Sequence, residues 1–187
     1  MSVRNVTRAA LAGSLTVVAL LGGQAAAAPA ESPRSAAEPK VLTYDSSGSA
    51  EFAEAVDSGV KVWNDSVTAV RLEKAADGAQ ANVRIVADDG WPRAVTTSLG
   101  NGTVYMGREA VQQGYHTTRI ASHELGHILG LPDMKPGPCS SLMSGSSAGV
   151  SCTNADPDAS EKAEVEENFT QGAAGSAAPQ RTLVFQD

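Results

Sequence analysis

Ser122-His123-Glu124-Leu125-Gly126-His127-Ile128-Leu129-Gly130-Leu131-Pro132-Asp133 is the stretch from which the rest of this 187-residue chain is best read. Residues four apart on a helix lie one turn above the other on the same face. The spacing therefore lets the imidazoles of His123 and His127 meet one Zn²⁺ from adjacent corners of a tetrahedron. Glu124, beside the first histidine, can reach a metal-activated water without itself binding the metal. At this composition an H-E-x-x-H run arises by chance in about one chain in a few hundred. Gly130 and Asp133 sharpen the signal roughly two hundredfold more. They also have a physical role: Gly130 can take the left-handed conformation that ends a helix. Pro132 cannot continue it, and Asp133 can swing back as a third ligand. The predicted helix runs from Thr117 to Leu129, with a hydroxyl residue capping its start and Gly130 stopping it.

Outward from this helix, hydropathy periodicity predicts the other elements. Lys40 to Tyr44, Val70 to Leu72, Asn82 to Ala87, Ala94 to Ser98 and Thr103 to Met106 read as short strands. Asn101-Gly102 reads as the turn joining the last two into a hairpin. Ser49 to Asn64 reads as a helix whose apolar face carries Phe52, Val56, Val60 and Trp63, the last a core residue. Asp156-Pro157 reads as the cap and first turn of a helix reaching about Phe169. The class is α+β, or α/β: one compact domain in which a twisted mixed sheet packs with the motif helix, a second long helix and a C-terminal helix. Trp91 is read as core or cleft wall. Glu161, Glu164, Glu166 and Glu167 are read as a solvated acidic face. Removing Glu161 is then expected to change nothing, unless a glutamate of this helix supplies the third ligand, as in a thermolysin-like protease.

The flanks carry different signals. Arg4 and Arg8, the apolar run Leu11 to Gly23 and the small residues Ala25 to Ala28 make residues 1–28 a secretory signal peptide. That run is too short to span a membrane, and with no twin arginine the general secretory route is expected. Residues 29–39 are rich in Ala, Pro, Ser and Glu and read as a propeptide or linker. The catalytic domain is expected over 40–171 and a flexible tail over 172–187. Within that tail Thr182 to Phe185 is apolar enough to dock as a strand. Without Arg4 and Arg8 the 14 basic residues fall to 12 against 21 acidic, moving the formal net charge from −7 to −9. Such an acidic surface disfavours nucleic acid and anionic membrane as partners. Protein or peptide substrates and a monomer are expected. The two cysteines, Cys139 and Cys152, read as one disulfide in an oxidising compartment, since no further Cys or His stands nearby at ligand spacing.

H-E-x-x-H-x-x-G-x-x-D followed by Ser141-Leu142-Met143-Ser144-Gly145 resembles the metzincin clan of zinc endopeptidases. More narrowly it is similar to the snapalysins, small neutral metalloproteases secreted by streptomycetes. The likeness runs from about Lys40 to Gly172 and includes Gly137-Pro138-Cys139-Ser140 and Ser151-Cys152-Thr153-Asn154. It implies a metzincin-like fold, one catalytic zinc held by His123, His127 and Asp133, and Glu124 as general base. It also implies Met143 as a Met-turn beneath the metal and a preference for aromatic residues just after the scissile bond. The Cys139–Cys152 bridge would then hold the Met-turn loop. Where the resemblance places a tyrosine, two residues after the Asp ligand, this chain has Lys135. A lysine could contact the oxyanion with its ammonium, or simply be solvated. His116 stands where a calcium-binding acidic residue is implied, and histidine is a poor ligand for so hard a cation. Calcium is therefore not expected, and His116 as a spare zinc ligand is a weak alternative. Extended peptide is expected to add to the sheet edge at Ala94 to Ser98. The competing class is a secreted zinc-binding protein without catalysis, a pseudoenzyme or an inhibitor.

Overall fold

The computed structural model describes residues 38–171 and 182–186. The signal segment, residues 29–37 of the linker, and residues 172–181 and 187 of the tail lie outside the described residues. Among the described residues six strands form one mixed sheet in the order β2-β1-β3-β5-β4-β6. Their ranges are β1 Lys40–Gly48, β2 Val70–Lys74, β3 Val83–Asp88, β4 Arg93–Ser98, β5 Asn101–Gly107 and β6 Leu183–Gln186. β1, β2, β3 and β5 pair in parallel, while β4 runs antiparallel to both β5 and β6. The helices are α1 Ala53–Ser66, α2 Arg108–Gln112, α3 Thr117–Ile128 and α4 Ala159–Gln171. This is the mixed-sheet α+β class that the hydropathy pattern predicts.

Apolar residues converge where α1 and α3 cover the sheet. Val56, Val60 and Trp63 of α1 are buried with Ile120, Leu125 and Ile128 of α3, and with Leu42, Ile85, Val104 and Met106 from the strands. Burying side chains of this size stabilises the fold by roughly 1.5–3 kcal/mol each. Trp63 also has a polar duty, since its Nε1–H donates to the Ser122 carbonyl at 2.8 Å. That bond crosses from α1 to α3 at the residue before His123, so core packing and site placement meet there.

Several local expectations shift. The hairpin of β4 and β5 exists, but Ser98 pairs with Asn101, which puts Leu99-Gly100 in the turn with Gly100 at φ +77°. Asn101 and Gly102 belong to β5 instead. The Asn101 side chain braces the turn by donating to the Leu99 carbonyl and the Ser98 hydroxyl, both at 3.0 Å. Gly102 is needed in the strand because a Cβ there would lie 2.3 Å from the Val95 carbonyl oxygen. The short helix α2 has no counterpart in the sequence reading. α4 opens at Asp158 rather than Asp156: the Asp158 carboxylate accepts the N–H groups of Ser160 and Glu161 at 2.8 and 2.9 Å, and Glu161 in return accepts the Asp158 N–H at 2.7 Å. That reciprocal pair is a capping box. Residues 183–186 of the tail form β6 along the free side of β4.

Candidate metal centre

α3 delivers its side chains through well-defined ends. Its N-cap is the His116 ring, whose Nδ1 accepts the Arg119 N–H at 3.4 Å, in place of the expected hydroxyl. At the other end Gly130 has φ +98°. The Gly130 N–H donates to the His127 carbonyl and the Leu131 N–H to that of Gly126, each at 3.0 Å. These two bonds make the Schellman arrangement that satisfies the last carbonyls of a helix. The turn returns Leu131 so that its carbonyl lies 2.8 Å from His127 Nδ1. His123 Nδ1 lies 3.0 Å from the Leu142 carbonyl.

These two contacts decide the protonation pattern. A carbonyl only accepts, so each Nδ1 carries the hydrogen and each neutral ring presents Nε2 as an acceptor. The two Nε2 atoms face each other at 3.1 Å, and Asp133 Oδ1 lies 3.4 and 3.5 Å from them. Three acceptors converging in a buried site repel unless a cation sits among them. His123, His127 and Asp133 are the metal-capable group among the described residues, with ligand atoms within 4.8 Å of one another. His116 is not part of it. Burial pushes His127 below the ordinary histidine range. That shift favours the form that binds a metal, the neutral imidazole.

Glu124 is wholly buried on α3 beside His123. Lys135 brings Nζ to 3.3 Å from Asp133 Oδ1, and its side chain is about one quarter exposed. Its ammonium therefore stands beside the candidate ligand set, on a residue that is exposed overall. Met143 lies under the helix, since a Cβ added to Gly126 would come 2.7 Å from its sulfur. Cys139 and Cys152 are joined in a disulfide. Trp91 is partly buried against the core and meets Tyr115 edge to face.

Two residues that hold the Met143 turn are absent from the sequence reading as site residues. Arg119, one turn before His123 and buried, donates to the carbonyls of Ser141, Leu142 and Asn154 and to the Ser144 hydroxyl at 2.6 to 3.2 Å. Glu161 is 5% exposed and accepts the N–H groups of Leu142 and Met143 at 3.1 and 2.8 Å and the Ser141 hydroxyl at 2.7 Å. The turn is thus gripped at its carbonyls by a guanidinium and at its N–H groups by a carboxylate. A solvated role for Glu161 is overturned by this burial. Glu166 is also engaged, accepting the backbone N–H groups of Thr68 and Ala69. Asp158-Ala159-Ser160-Glu161 carries the capping-box spacing that could have flagged Glu161. For Arg119 the only signal is its position four residues before His123.

Residues 40–172 match the family described as Streptomyces extracellular neutral proteinase (M7). The extracellular small neutral protease of Streptomyces coelicolor is 41% identical over 140 residues, 75% of this chain and 64% of that protein. The protein of the same description from Streptomyces sp. (strain C5) is 39% identical over 147 residues, 79% of this chain and 63% of that one. The one from Streptomyces caespitosus is 38% identical over 131 residues, 70% of this chain and 98% of that one. The chain thus spans just under two thirds of the length of the first two relatives.

Proposed function

Since the chain belongs to the Streptomyces extracellular neutral proteinase family, we propose that it is a secreted zinc-dependent endopeptidase. The observation that carries this reading is the meeting of two imidazole Nε2 acceptors and the Asp133 carboxylate around one point. His123, His127 and Asp133 would hold the ion, two nitrogen donors and one oxygen being a set that suits zinc. Zinc, when bound there, supplies Lewis acidity that polarises a scissile carbonyl and acidifies water.

The remaining work falls to the chain's own residues. Glu124 accepts a proton from the attacking water at its carboxylate and passes it to the leaving amine. The carbonyls of Leu131 and Leu142 fix the tautomer and aim of the two imidazoles, as hydrogen bonds behind metal-binding histidines do. Lys135, against Asp133, is the candidate donor to the oxyanion in the place the family gives to tyrosine. Extended peptide pairs with β4, and the family resemblance supports aromatic residues just after the cleaved bond. Secretion is supported by the leader at residues 1–28 and by relatives described as extracellular. Among the described residues no helix is long and apolar enough to cross a membrane.

Casein hydrolysis by the purified secreted chain, with and without a chelator, tests the reading. Cleavage that chelator abolishes and zinc restores is expected. A chain that binds zinc and cleaves nothing would instead be the zinc-binding protein without catalysis.

A further inference from the structure

The edge at which substrate would pair is already taken. β6 lies antiparallel on β4, with Ala94 opposite Phe185, Val95 opposite Val184 and Thr96 opposite Leu183. Opposed residues of a ladder point to the same face of a sheet. Ala94 and Thr96 are buried beneath α3, so Phe185 is directed to the side that carries the two histidines. Its ring stacks on the imidazole of His127, centroid to centroid 4.2 Å and 9° from parallel.

We propose that residues 182–186 are a built-in, substrate-like occupant of the peptide-binding edge, holding the chain in a partly inhibited state. The inference rests on the endopeptidase reading above for what the edge is for. An extended peptide that adds to β4 needs the same main-chain N–H and C=O groups that β6 now uses. Its side chain at the position of Phe185 would need the same face of His127. Strand and substrate therefore exclude each other.

Two observations mark the strand as an occupant and not a piece of the fold. None of the buried apolar core comes from it, and Leu183 and Val184 are 50% and 62% exposed. It also lies outside residues 40–172, the part of the chain that the family shares. Backbone pairing and one aromatic ring hold it, which is a grip that substrate can displace. Tethering raises its effective concentration to the millimolar order, so it competes against dilute substrate and yields to concentrated substrate.

The test compares the zinc-loaded full chain with its Phe185→Ala and Phe185→Trp variants on a fluorogenic peptide. Phe185→Ala should lower KM about tenfold at unchanged kcat, as loss of a tethered competitor does. Phe185→Trp keeps a ring on His127 and should hold KM near the parent value. A second readout is independent of turnover. In the Glu124→Gln background, a labelled peptide of residues 181–186 should bind the Phe185→Ala chain about tenfold more tightly, measured by fluorescence anisotropy. Equal KM and equal peptide affinity with and without the Phe185 ring would overturn the inference and leave the endopeptidase reading standing. Tighter peptide binding in the Glu124→Gln background, with no cleavage by the zinc-loaded parent chain, would keep the strand as an occupant of the edge and overturn the endopeptidase reading.

Discussion

The carboxylate of Glu161 accepts the backbone N–H of Met143 at 2.8 Å. A helix with no residue in the candidate ligand set thereby holds the turn beneath that set. The same turn presents the Leu142 carbonyl to His123, so disturbance of Glu161 should travel to the candidate ligand set. Glu161→Ala leaves the N–H groups of Leu142, Met143 and Asp158 without their acceptor and should cost about 3 kcal/mol, by the usual penalty for stranded buried donors. Glu161→Gln, which keeps a carbonyl oxygen, should recover part of this. Urea unfolding of the three proteins, with zinc affinity measured alongside, checks both effects. Unchanged stability in Glu161→Ala would contradict the clamp.

Removing the Cys139–Cys152 bridge should weaken the same turn from its other side. The two cysteines stand 13 positions apart and enclose Met143. A loop of that length is worth roughly 3 kcal/mol on the chain-entropy estimate. The double variant Cys139→Ser with Cys152→Ser should melt earlier and lose zinc more readily to a chelator.

Glu124→Gln separates binding from chemistry. The amide is nearly the same size but cannot accept the proton of the attacking water. Zinc content and thermal midpoint should match the parent, while turnover falls at least about 100-fold, the lower end for losing a general base. Retention of more than about a tenth of the parent rate would remove Glu124 from that role.

Asp158 gives a pH dependence. Hydrogen bonds from the Glu161 N–H first, and from the Ser160 hydroxyl next, hold its carboxyl below the ordinary carboxylate range. A group whose folded pKa is depressed stabilises the fold in full above its unfolded pKa, near 3.9, and loses that contribution as pH falls through the lower folded value. Asp158→Asn keeps a capping side chain that does not ionise. Its urea midpoint should therefore fall less than that of the parent between about pH 5 and about pH 2. Asp158→Ala should cost about 1 kcal/mol at neutral pH.

What the sequence made legible follows from the range of the interactions involved. His123, Glu124 and His127 were readable because helical geometry alone puts them together. Gly130 was readable because a left-handed residue at that position has one common use. Asp133 followed from the exit direction that Gly130 and Pro132 set. Asn101-Gly102 misled because its signal is local, whereas Gly102 is required by the close approach of β4 to β5. Asp156-Pro157 masked the true capping box two residues later. Arg119 acts on a turn about 20 residues away in the chain and nothing local marks it, while the capping-box spacing that marks Glu161 speaks only of its own helix. Phe185 was readable as part of an apolar segment, but its stacking on His127 depends on pairing with Ala94 of β4, far away in the chain. Lys135 was placed at the site by the loop's course and not by anything in its own neighbourhood of sequence.

Zinc content of Asp133→Ala, measured by mass spectrometry after dialysis against micromolar zinc, tests the central claim most directly. The parent should hold one zinc per chain. Loss of one of three protein ligands should exceed the 10- to 100-fold cost of losing an outer hydrogen bond, leaving the variant largely without metal. Asp133→His, which restores a donor, should regain it. A stoichiometry near one for Asp133→Ala would contradict the three-residue centre.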